Sequence, residues 1–237
     1  MKKQQLTMTE LPDLAADSVG QQAEQAALES HLEALQDQLH EVAGAGDRRE
    51  QADLQLQIAR TLVGLERGEE AWRSGRSAFD TFIELQDWES AADLCDVLFE
   101  AGQEGSLSAL GQGIWLTVTF PMDPELSATL LHRVVDETPD DSDGAAVAAT
   151  TAMFLIDLRA EGQQKENLSF FAGQILGNVA RRHSQVENQQ QFDQWMERLE
   201  LKEPDKFLPR LRNVVDVLVQ DDWWFDREAL QAQLAVN

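Results

Sequence analysis

The chain has 237 residues, 43% of them hydrophobic and 26% charged, enough to bury a sizeable core without disulfides or metals and too apolar for wholesale disorder. Its 43 acidic side chains against 19 basic ones leave a formal charge of −24, a field that repels nucleic acid and anionic membrane surfaces. Direct nucleic-acid binding and membrane attachment are therefore not expected; solubility, or attraction of a protein partner with a basic segment, is what such a charge suits.

No stretch approaches the roughly 20 apolar residues that span a bilayer. Met1, Lys2 and Lys3 are followed by polar residues and Asp13, so no secretory leader is expected and the cytoplasm is the default compartment. Residues 1–20 carry Pro12, Asp13, Asp17, Ser18 and Gly20 without helical periodicity and read as a flexible tail. A first helix follows, with Leu28, Leu32, Leu35, Leu39 and Val42 in a heptad-like seam that either packs on the rest of the domain or pairs with a second copy through residues 28–42.

Asp47 is placed to cap a second helix, with Glu50 at the capping-box position, an apolar face of Leu54, Ile58, Leu62 and Leu65, and Gly68 as its stop. A third helix carries Ala71, Trp72, Ala78, Phe79 and Phe82, and a break at Gln86 and Asp87 leads to a fourth over Trp88–Ala101. Loops this short force neighbouring helices to run antiparallel as hairpins. Phe82, the turn Gln86-Asp87-Trp88 and Ala91 resemble the middle of a tetratricopeptide repeat, with Gln86, Phe79 and Leu98 departing from that family's small residues. The resemblance covers residues 50–120 and implies stacked hairpins with a concave partner-binding groove; no peptide-binding residue carries over.

Gly111–Pro121 is rich in aromatic and β-branched residues, yet no partner strand is apparent, which favours a buried helix ending before Pro121. Asp123 and Pro124 form a cap and first turn for the next helix. The acidic, turn-rich stretch 136–144 is the best internal boundary, although a continuous helical core through Ala145–Ala160 and Leu168–Arg182 is preferred to a domain division. Three further helical patterns, over 192–201, 207–219 and 226–234, bring the total to about ten. The fold expected is all-α: antiparallel helical hairpins stacked as an α-solenoid or a compact multi-helix bundle over residues 21–237.

No catalytic, cofactor or metal motif emerges. Asp140, Asp141, Asp143 and Gly144 suggest a calcium loop, but the twelfth position holds Thr151 or Ala152 instead of Glu. His31, His40, His132 and His183 lack ligand spacing, and Cys95, in a run of Ala91, Ala92, Leu94 and Leu98, reads as a buried inert thiol. No nucleophile elbow or phosphate loop is present.

Three surfaces remain as partner-binding candidates. Glu89, Asp93, Asp96 and Glu100 share one face of the fourth helix, within a segment from Glu84 to Glu104 that holds seven acids and no base, so repulsion along the stripe would be relieved by a basic partner. Arg181 and Arg182 open a basic tract, 181–212, suited to an acidic segment of a partner or of the chain itself. Trp223 and Trp224, beside Phe225 in an acidic frame, are either a C-terminal staple or an aromatic anchor. Together these favour a non-catalytic protein-binding adaptor or assembly chaperone. The alternatives are a dedicated chaperone of a cofactor-containing enzyme, an enzyme with a site assembled in a helical bundle, or a nucleic-acid mimic.

Overall fold

A computed structural model describes residues 11–44 and 46–234. These form eleven helices: α1 (Leu11–Val42), α2 (Arg48–Gly64), α3 (Gly68–Glu84), α4 (Trp88–Glu100), α5 (Ser106–Thr119), α6 (Pro124–Glu137), α7 (Asp143–Arg159), α8 (Gly162–Ser184), α9 (Gln189–Arg198), α10 (Pro204–Val219) and α11 (Arg227–Leu234), with no strand among the described residues. The all-α class expected from the periodicity is the class observed, and the stretch from Gly111 runs in the buried helix α5 to Thr119, ending before Pro121.

The first helix begins ten residues earlier than expected. Residues 1–10 of the expected tail lie outside the described residues, but 11–20 belong to α1. A proline is tolerated in a first turn, and one glycine costs a helix of this length only about 1 kcal/mol. The heptad-like seam of α1 faces inward: Leu32 and Leu35 are buried with Leu54, Ile58 and Leu62 of α2, and Leu39 and Val42 pack on that cluster.

Five of the helices, α2, α4, α6, α7 and α9, start on a side chain that satisfies free N–H groups of the first turn. Asp47 accepts from Arg49 and Glu50 N–H, Asp87 from Ser90 N–H, Asp123 from Glu125 N–H, Ser142 from Gly144 N–H and Asn188 from Gln191 N–H. The connection from α2 to α3 is repeated from α3 to α4 and from α9 to α10. A residue in left-handed conformation, Glu66, Gln86 or Glu200, reverses the chain, and the next N–H bonds back five residues, Arg67 to Leu62, Asp87 to Phe82 and Leu201 to Met196. Gly68 does not stop α2. It opens α3, where a Cβ would stand 2.1 Å from the Ala101 carbonyl oxygen, so the glycine permits α3 to approach the end of α4.

Consecutive helices from α1 to α9 pack pairwise, and alternate ones touch as well: α2 with α4, α4 with α6, α6 with α8. On the other side of the stack α10 returns to lie against both α5 and α7. One core cluster runs from Ala52 to Leu230, through Phe79, Phe82, Leu110, Ile114, Leu131, Ile156, Trp195, Phe207 and Val215, and so continues across the 136–144 loop.

Candidate functional site

The acidic stripe of α4 is not left to repel itself. Its bases come from the flanking helices. Arg60 of α2 pairs with Asp93 at 2.6 Å, and Arg133 of α6 grips both oxygens of Asp96, at 3.1 and 3.2 Å, and also reaches Glu100. Glu89 accepts the Asp123 N–H at 3.1 Å. The hydrogen bond to Asp96 holds the Arg133 guanidinium above its ordinary pKa. Asp96 is only 8% exposed, so this arginine neutralises a buried carboxylate instead of decorating a surface. The stripe therefore straps α2, α4 and α6 together, and the relief assigned to a partner is in large part internal.

The adjacent Arg181 and Arg182 part company. Arg182 turns inward and donates to the Val135 carbonyl at 2.6 Å, with Asp140 at 3.7 Å, whereas Arg181 stays exposed and bonds Asn178. Arg210 pairs with Asp143 at 2.9 Å. The acidic loop 136–144 is thus docked on the basic tract.

His183 joins the same junction. Its Nε2 lies 3.0 Å from Asp143 Oδ1, and its Nδ1 lies 2.7 Å from Ser184 Oγ and 3.2 Å from the Trp195 indole nitrogen. An indole N–H only donates, so Nδ1 is the acceptor and the proton sits on Nε2, toward Asp143. Arg198 donates to the same serine oxygen at 2.7 Å. The residue types are those of a nucleophilic triad, but the Nδ1 lone pair is already engaged by Trp195, and the arrangement ties α7, α8 and α9 together.

The aromatic end folds back as a staple. The Trp224 ring meets Phe79 edge-on at 5.0 Å and Trp72 at 6.0 Å, under the Arg76 guanidinium at 4.2 Å. Trp223 meets Trp115 at 6.4 Å and Phe225 at 5.7 Å, with Arg227 over its face at 4.0 Å. The turn is held by a residue the sequence reading passed over. Gln112, fully buried in α5, donates to the Asp222 carbonyl at 2.9 Å and accepts the Trp224 N–H at 3.0 Å, and Ser108 adds a bond to the same carbonyl at 3.2 Å. A lone amide between Leu110 and Ile114, in a helix whose other polar side chains are only hydroxyls, was the available signal, since a buried amide demands partners.

Beside this staple a cleft of about 390 Å³ opens between α5, α10 and α11. Ile114, Trp115 and Val118 form one wall and Leu208, Leu211 and Val215 the other; Arg212, Arg227 and Glu228 lie at the rim. Arg227 turns to Asp216 at 2.8 Å, and Arg212 stands 3.9 Å from the same residue. Glu228 is exposed and, among the described residues, forms no ion pair. Nothing in the sequence marked this cleft, because its walls are core-type residues from segments about 90 residues apart.

Among the described residues no group of three His, Cys, Asp or Glu side chains is placed to hold a metal ion, and no helix is long and apolar enough to cross a membrane. Asp140 and Asp143, from the calcium-like loop, face arginines and His183. Cys95 is fully buried, and burial pushes its thiol far above the usual range, away from nucleophilic use.

The fold and these surfaces define an all-α protein of stacked antiparallel helices whose C-terminal segment seals one side of the stack. No protein-family model matches the chain, and neither the curated proteins nor the solved structures gave a match.

Proposed function

We propose that this protein is a non-catalytic adaptor or assembly chaperone, built on tetratricopeptide-like hairpins and acting in the cytoplasm, that takes a basic, amphipathic segment of a partner protein into the cleft between α5, α10 and α11. The observation that carries this reading is the cleft itself: apolar side chains of α5 and α10 face one another across it, and polar and charged groups, Thr119, Arg212, Arg227, Glu228 and Gln231, make up the larger share of its exposed lining. A trough of that kind accepts apolar side chains spaced one helical turn apart, and the rim sets polarity and register. With both rim arginines turned toward Asp216, Glu228 is the rim group left for a cation. The −24 field steers a basic segment toward it. The hairpin α3–α4, joined by the turn Gln86-Asp87-Trp88 and packed on α2 and α5, is what supports the repeat reading of residues 50–120.

A photo-crosslinking residue placed at Thr119 or Gln231, both lining the cleft, tests this in lysate at low and high salt. One dominant protein adduct that weakens with salt is the expected result. Adducts no more abundant or specific than those formed from the exposed Glu104 would overturn the reading.

A further inference from the structure

We infer that α8 is a self-recognition surface that pairs antiparallel with α8 of a second copy about a two-fold axis passing between Gly173 and Gln174. Phe170 and Phe171 stand on the outer side of α8 at 60% and 59% exposure, their rings 5.6 Å apart edge-to-face. Aromatic side chains this large are rarely left in water without a partner. The sequence pattern placed the segment Leu168–Arg182 in a continuous helical core; within it the buried places go to Ala172, Leu176, Val179 and Ala180.

Two turns along the same face from Phe170 lies Gly177, where an added Cβ would meet nothing within 4 Å. Above it a shallow, open hollow of about 280 Å³ is lined by Val186 and Phe192 together with Glu187, Asn188 and Gln189, with Arg181 beside them. α8 thus carries a knob and a hole, offset by seven residues. One turn before the knob is Glu166, and one turn beyond the hole is Arg181, which forms no ion pair among the described residues.

The spacing decides the occupant. The midpoint of Phe170 and Gly177 coincides with the midpoint of Glu166 and Arg181, at position 173.5 in both cases. A single two-fold axis there seats each Phe170 in the other copy's hollow at Gly177 and brings each Glu166 beside the other copy's Arg181. Such self-complementarity is what an isologous interface requires, and an unrelated partner would have no reason to match it. An interface of one helix from each copy buries less than about 1,200 Å², which places the dimer among weak, concentration-dependent ones. This inference is independent of the cleft, which lies on other helices.

The test is sedimentation equilibrium of the full chain up to about 200 µM, a range that covers micromolar dissociation constants, in salt that screens repulsion between the two acidic copies beyond about 8 Å. The expected mass rises from 26.5 kDa toward twice that value. Phe170→Ser and Gly177→Leu, both at open positions, are expected to weaken association about tenfold or more while helicity is unchanged, because central aromatic anchors carry most of such binding energy. Glu166→Arg or Arg181→Glu alone weakens it, and the two together restore it. A chain that remains at 26.5 kDa throughout, a dimer indifferent to Gly177→Leu, or a double charge exchange that fails to restore association would each overturn the inference.

Discussion

Replacing Gln112 with leucine should cost this protein about 2–4 kcal/mol, through two backbone groups far away in sequence. The native amide satisfies the Trp224 N–H and shares the Asp222 carbonyl with Ser108. Leucine keeps the volume and removes both bonds. The Trp224 N–H then loses its partner in a part-buried turn, worth about 1–3 kcal/mol, while the carbonyl retains Ser108 and loses roughly half as much. For a chain of this size that corresponds to a fall in Tm of about 4–16 °C. Urea titration followed by tryptophan fluorescence reads it directly, since Trp72, Trp115, Trp223 and Trp224 all line the staple. The double variant Gln112→Leu/Ser108→Ala should lose about 1 kcal/mol more than the single one, because the carbonyl then has neither donor. A loss below about 0.5 kcal/mol, within the range of ordinary surface changes, would refute the idea that this amide holds the C-terminal segment.

Arg133→Met strands the buried Asp96 carboxylate and should cost about 2–4 kcal/mol in denaturant unfolding, with much of that returned by adding Asp96→Asn. Glu66→Gly and Glu200→Gly relieve side chains held at φ of 57° and 52°, and each should raise the denaturant midpoint by an amount worth up to about 1 kcal/mol. Burial pushes the His132 imidazole below its ordinary pKa of 6.5, against the opposing pull of Asp136. The unfolded chain therefore binds a proton more readily, so stability is lost as pH falls below about 6.5 toward the lower folded value. Unfolding curves at several pH values should show that component of the slope vanish in His132→Asn.

Much of the fold was legible because its signals are local. Asp47 and Asp123 cap helices from their own neighbourhoods, and the apolar period of α2, α4 and α6 needs only a turn or two of chain to declare itself. The turn Gln86-Asp87-Trp88 was visible as a turn, but its twins at Glu66 and Glu200 were hidden, because glutamate gives no hint of a left-handed conformation. The surfaces were less legible. Whether Asp93 and Asp96 repel one another depends on Arg60 and Arg133, more than 30 residues away, so a one-helix view overstates the repulsion. Phe170 and Phe171 carry the same letters as core residues, and only the docking of α7 and α9 on the other side of α8 leaves them outside.

The central claim is that a partner segment occupies the cleft of α5, α10 and α11. The most direct measurement compares proteins recovered in stoichiometric amount on the native chain with those recovered on Leu208→Asp and Val118→Asp, which place charge on part-exposed cleft walls, and on Arg181→Glu, which alters only the outer face of α8. One partner present on the native chain and on Arg181→Glu, and absent from both cleft variants while their helicity is unchanged, is the predicted result. A partner retained equally by all four proteins, or none retained by any, would contradict the account.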